Sequence, residues 1–128
     1  MPDAIRTAPR EGRVLAGPTI TFSIAEEIRR LRQEPEWISG ARNSVTVVKT
    51  ANLSIVLTAI KNEATLCGHE VDGPITLQVI SGAVKFGVAG EPLNLKAGTV
   101  IALDKAIHHD IQALEDSELL LTIVKEIK

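Results

Sequence analysis

The sequence predicts an all-β domain with one N-terminal α-helix, on three observations. After Gly40 the chain breaks into short runs rich in β-branched residues. Clusters of turn residues separate those runs at nearly even intervals. Ahead of them stands one segment whose apolar residues keep a helical period. Evenly spaced short strands imply an antiparallel sandwich or barrel rather than a βαβ fold.

The elements follow in order. Residues 1–17, "MPDAIRTAPREGRVLAG", carry two prolines, mixed charge and no period. They read as a mobile arm that a partner subunit would order. A single barrel domain then takes residues 18–128, with "PTITF" expected as a short edge strand. A helix follows over about residues 24–33. Ser23 and Glu26 have capping-box spacing, and Ile24, Ile28 and Leu31 form one apolar stripe. Glu27, Arg29 and Arg30 are expected to face water. Pro35 is expected to end the helix, leaving Trp37 as a packed lid over the barrel or the helix seam. The strands are "SVTVVKT", "LSIVLTAIK", "ITLQVI", "AVKFGV", "TVIAL", "AIHHDIQA" and "ELLLTIV", and Ser81–Gly82 reads as a hairpin turn.

Composition narrows the function classes. The 128 residues are enough for one domain with a real core. Apolar residues make up 45%, yet Tyr is absent and aromatics reach 2%, so that core must be aliphatic. The net charge of −2 offers no basic field to a phosphate backbone, which argues against nucleic acid. No apolar run has the length to span a bilayer, and no signal-like segment opens the chain. The single cysteine, Cys67, cannot form an internal disulfide. Together these favour a cytoplasmic protein without membrane partners.

The three histidines carry the chemistry. Strand residues alternate between faces. In "AIHHDIQA" the apolar set Ile107, His109 and Ile111 shares one face, so His109 should point inward and His108 outward. The same alternation groups Cys67, His69 and Val71, continuing to Ile75, Leu77 and Val79, unless "DGP" at 72–74 resets the register. Two inward histidines in one small barrel can meet, because its interior holds little beyond side chains or one small ligand.

At these positions the sequence resembles the cupins. That family's first motif places an H-x-H pair and a glutamate between two glycines, and its second carries a further histidine. His69 falls on the first histidine, Gly82 on the closing glycine, Gly98 on the opening glycine of the second motif and His109 on its histidine. "GPITLQVISGAVKF", "LKAGTVIAL" and "HDIQALEDSELLLTI" are similar in flavour to small bacterial single-domain cupins. The resemblance covers roughly residues 60 to 124. It implies a double-stranded β-helix, or jelly-roll barrel, with a pocket between the motif strands. The metal motif is degenerate, with Val71 at the second histidine, Ile75 at the glutamate, Glu63 at the first glycine, and Asp104, Ala106 and Ala113 in the second motif.

Three readings of the site follow, the plainest being a structural or regulatory dimer whose pocket is closed by its own side chains. In the second, His69 and His109 supply polar contacts to a small molecule bound in the barrel, within a wall of Cys67, Val71, Leu77, Phe86 and Ile111. In the third, the protein is a dioxygenase or isomerase whose histidines hold a divalent metal such as Zn, Ni, Fe or Mn. Catalytic metal sites usually take three protein ligands, so Cys67, or Glu70, Asp72 or Gln78 after a register shift, would complete the set. No phosphate loop or nucleophile elbow is present. Finally, "ELLLTIV" is apolar on both parities, so both of its faces must be covered, by the barrel interior and by the helix or a second subunit. With Thr76, Gln78 and Ile80 facing out from the neighbouring strand, a homodimer is expected.

Overall fold

The computed structural model describes residues 13–69, 73–88, 90–104 and 107–125. Two helices, α1 (Ile24–Leu31) and α2 (Pro35–Ile38), precede nine strands. The strands are β1 (Arg42–Lys49), β2 (Leu53–Ile60), β3 (Thr65–His69), β4 (Ile75–Ser81), β5 (Ala83–Val88), β6 (Glu91–Lys96), β7 (Val100–Leu103), β8 (His109–Ala113) and β9 (Ser117–Val124). They form two antiparallel sheets, ordered β1-β2-β9-β4-β7 and β3-β8-β5-β6. The all-β expectation holds.

The helices cover the outer face of the five-stranded sheet. Ser23 caps α1 by accepting a hydrogen bond from the Glu26 amide at 3.2 Å. Ile28 and Leu31 then pack with Trp37 against Val45, Val47, Leu57 and Ala59. Each such large aliphatic side chain contributes roughly 1.5–3 kcal/mol by leaving water. Asn43 locks this layer down. Its Nδ2 donates to the Leu31 carbonyl at 3.0 Å and to Glu34 at 2.8 Å, while its Oδ1 accepts from the Ser44 amide. Leu120 and Ile80 join the helix-side cluster, whereas Leu119, Leu121 and Ile123 join the barrel core, so both faces of β9 are covered.

Several expectations need correction. "PTITF" is irregular rather than a strand, although Ile20 and Phe22 pack beneath the helix. Pro35 does more than stop α1. It opens α2, where its missing N–H costs nothing at a first helical position. Trp37 is thereby carried to the helix–sheet seam, with Arg32 and Lys61 each 4.9 Å from its ring centroid. Glu27 does not face water. It is buried beside Arg13, whose guanidinium donates to both carboxylate oxygens, at 3.1 and 2.7 Å. The Lys49 amide donates to the Leu15 carbonyl at 2.8 Å, so residues 13–15 lie along the end of β1. β6, "EPLNLK", is a strand absent from the runs expected from the sequence.

Ser81–Gly82 is no hairpin turn, because β4 and β5 belong to different sheets. The dipeptide is a corner between layers. Gly82 has φ +86°, and a Cβ there would lie 2.3 Å from Ser117 Oγ and 2.5 Å from the Asp116 carbonyl. Only glycine suits that corner. Among the described residues, no helix is long and apolar enough to cross a membrane.

Candidate functional site

The interior between the sheets is graded from one end to the other. At the end near the Gly82 corner, Ile60, Val79, Val84 and Leu119 are sealed from solvent. Toward the other end, Val88, Leu121 and Ile123 are only half-buried, and Ile107 is half-buried beside them. Among the described residues, the barrel is therefore sealed at one end and less tightly covered at the other.

His109 stands at the less tightly covered end. It opens β8, and alternation along that strand turns His109, Ile111 and Ala113 inward while Asp110 is exposed. Its residue is 3% exposed. The ring stacks on Phe86, with centroids 5.4 Å apart and planes 15° from parallel. Nδ1 lies 3.2 Å from the Ile107 carbonyl oxygen. A carbonyl can only accept, so Nδ1 carries the hydrogen, and in the neutral ring Nε2 carries the lone pair. His108 points outward, as alternation predicted, with Nε2 3.6 Å from Asp110 Oδ1 on the exposed face.

The β3–β8 ladder sets position 69 directly opposite His109. Leu66 pairs with Ile111, however, and the register shifts between Leu66 and His69. Without that bulge, position 68 would oppose His109. The two-residue spacing from Cys67 to His69 crosses the bulge, so simple alternation does not link them. Position 69 reaches its place through the irregularity.

The remaining site residues divide clearly. Leu77, Phe86 and Ile111 belong to the barrel core and are essentially sealed. Val71, Glu70 and Asp72 lie outside the described residues. Gln78 is excluded from the interior. It pairs with Leu120 and Val100 on the outer parity of β4, with Leu77 and Val79 facing inward. Ile75, at the motif's glutamate position, is a buried member of the apolar core.

Sequence reasoning missed a group of hydroxyls. Register sets Ser54 opposite Ile123, Val56 opposite Leu121 and Thr58 opposite Leu119, which puts Ser54 and Thr58 on the barrel-facing side of β2. Ser44 opposes Thr58, and Thr46 opposes Val56, on the same side of β1. All four hydroxyl residues are buried. The signal was present in the alternation of "SVT" and "LSIVLT", which β-branched content alone obscures.

The donor set does not reach a metal site among the described residues. No group of three His, Cys, Asp or Glu is close enough there to hold an ion. A catalytic centre usually takes three protein ligands, and His109 is the one inward-facing histidine whose side chain is described.

No protein-family model matches the sequence, and no curated protein matches it significantly. Solved structures do match. The chain is similar to a cupin superfamily protein from Desulfitobacterium hafniense at 13% identity, covering 66% of this chain and 78% of that one, with TM-score 0.65. It is similar to an RmlC-like cupin from Desulfovibrio desulfuricans at 23% identity, covering 66% and 82%, with TM-score 0.61. A cupin-2 domain protein from Shewanella frigidimarina, 13% identical, covers 81% of this chain and 94% of its own, with TM-score 0.65. Two facing antiparallel sheets closed around an aliphatic interior define a jelly-roll barrel. This one has the cupin fold.

Proposed function

We propose that the protein binds a small molecule in the less tightly covered half of its barrel, with His109 and His69 supplying polar contacts. The observation that carries this reading is a buried imidazole at the less tightly covered end of a mostly apolar interior. A mostly apolar site with few convergent polar groups is the usual form of a ligand pocket. Thermal-shift screening of a metabolite collection tests the reading. A ligand should raise the melting temperature of the wild type by mass action and lose that effect in His109→Ala. No stabilising compound, or equal stabilisation of both proteins, would overturn it.

A divalent-metal enzyme, a dioxygenase or isomerase, is the rival reading. One observation favours it. A histidine whose Nδ1 is held by a backbone carbonyl presents Nε2 in the manner of a metal ligand. Metal analysis of untagged protein decides. Near one equivalent, lost in the His69→Ala, His109→Ala double variant, would favour the enzyme.

We also propose a homodimer formed through the outer face of β9, β4 and β7. Thr76, Gln78, Val100, Ala102 and Thr122 make that face uncharged, and Val100 is 56% exposed.

A further inference from the structure

The contacts of His109 set the direction of its ring as well as its burial. His109 is the first residue of β8. Its cross-strand neighbour on β5 is Val88, while Phe86 stands two residues further along, opposite Ile111. Phe86 therefore meets His109 on the diagonal, a separation that aromatic side chains can span. The two rings lie 15° from parallel with centroids 5.4 Å apart. Phe86 is itself wholly buried, on a strand flanked by β8 and β6. It forms a rigid platform against a ring at a strand's end.

Two contacts act on two different freedoms of the imidazole. The torsion χ2 of a histidine is soft and broadly two-fold. The face of Phe86 restricts the plane of the ring. It does not choose between the two flips, because a half-turn about χ2 keeps the plane and exchanges Nδ1 for Cδ2. The Ile107 carbonyl makes that choice. Its oxygen lies 3.2 Å from Nδ1, requires an N–H there, and would meet a carbon after the flip. The hydrogen bond in turn needs the plane, because it weakens steeply as the N–H turns away from the oxygen. Val88, directly opposite His109, is half-buried and aliphatic and offers no planar face.

Resting on the binding reading above, we propose that Phe86 is a positioning residue for the site. It holds His109 in one ring plane and, together with the Ile107 carbonyl, in the Nδ1–H tautomer. The edge that carries Nε2 then keeps one direction. A ligand is also excluded from the Phe86 side of the imidazole. Both restraints act on the ring plane and the Nδ1 edge, so the assignment holds whatever else the ring touches.

Two-bond proton–nitrogen correlation spectra of the full, nitrogen-labelled chain read the tautomer directly, in buffer alkaline enough to keep ordinary imidazoles neutral. The wild type should show His109 in the Nδ1–H form alone. Phe86→Leu should move both ring nitrogens toward the mixture that a free histidine shows. It should also weaken the best stabilising compound of the thermal-shift screen by roughly three- to tenfold, the value of one hydrogen bond. Phe86→Tyr, which keeps the ring, should restore both readouts. Leu119→Val, at the sealed end of the same core, should lower stability and leave the tautomer unchanged.

If the wild type lacks the Nδ1–H form, if Phe86→Leu retains it, or if Leu119→Val loses it, Phe86 is core alone and the inference fails. A compound that binds Phe86→Leu as well as the wild type, yet needs His109, also ends the inference and leaves the binding reading standing. If the tautomer responds as expected and no compound binds, the positioning role holds and the binding reading fails. Should Phe86→Leu not fold, Phe86→Met fills the same space and is read in its place. If neither folds, packing explains Phe86 and the inference fails.

Discussion

Asn43 shows how much of this structure depends on single polar side chains. It is wholly buried, and its amide spans the end of α1, the start of α2 and β1. Asn43→Ala would remove one of the two bonds to the Leu31 carbonyl, which keeps the Glu34 amide at 3.3 Å, together with the side-chain acceptor of the Ser44 amide, and should cost about 1–3 kcal/mol by urea unfolding. Gly82→Ala forces a Cβ against the β9 corner in a left-handed conformation and should destabilise comparably. A milder case is the exposed Glu26–Arg29 pair on α1. Its hydrogen bond and charge hold the Glu26 carboxyl below the usual glutamate range. A lowered folded pKa contributes stability above the ordinary glutamate value and loses it as pH falls through the lowered one. The small stability gap between wild type and Arg29→Ala should therefore be present at neutral pH and vanish in acid, as urea unfolding across pH would read.

At the scale of elements, β9 sets the rule that both faces matter. Leu120→Asp puts a charge beneath the helix layer and should unfold the domain or lower its melting temperature steeply, whereas Thr122→Asp, near the opposite edge of that layer, should be tolerated in the monomer. The β elements were legible where hydrophobic runs met turn residues, and β8 and β9 could be assigned face by face. β6 was not, because Glu91, Pro92 and Asn94 resemble a turn and an edge strand needs only one buried anchor, here Leu95. The bulge in β3 was equally hidden, since nothing in "TLCGH" announces an extra residue. Inwardness of His109 survived because β8 is regular. The burial of Glu27 is not legible in the sequence, because its partner, Arg13, lies fourteen residues away in a segment without pattern.

For the whole molecule, light scattering after size exclusion should give twice the 13.7 kDa chain mass, and Val100→Asp should halve it. A wild-type monomer at micromolar concentration would remove the proposed pairing. The grading of the interior has a dynamic consequence as well. Amides near Leu119, Val84 and Ala113 should exchange with deuterium only through global unfolding, while those of β3 and the start of β8 should exchange by local opening at lower free energy. A protein with such a gradient can breathe at its mouth without loosening its base, and a guest could enter and leave while most of the chain never unfolds.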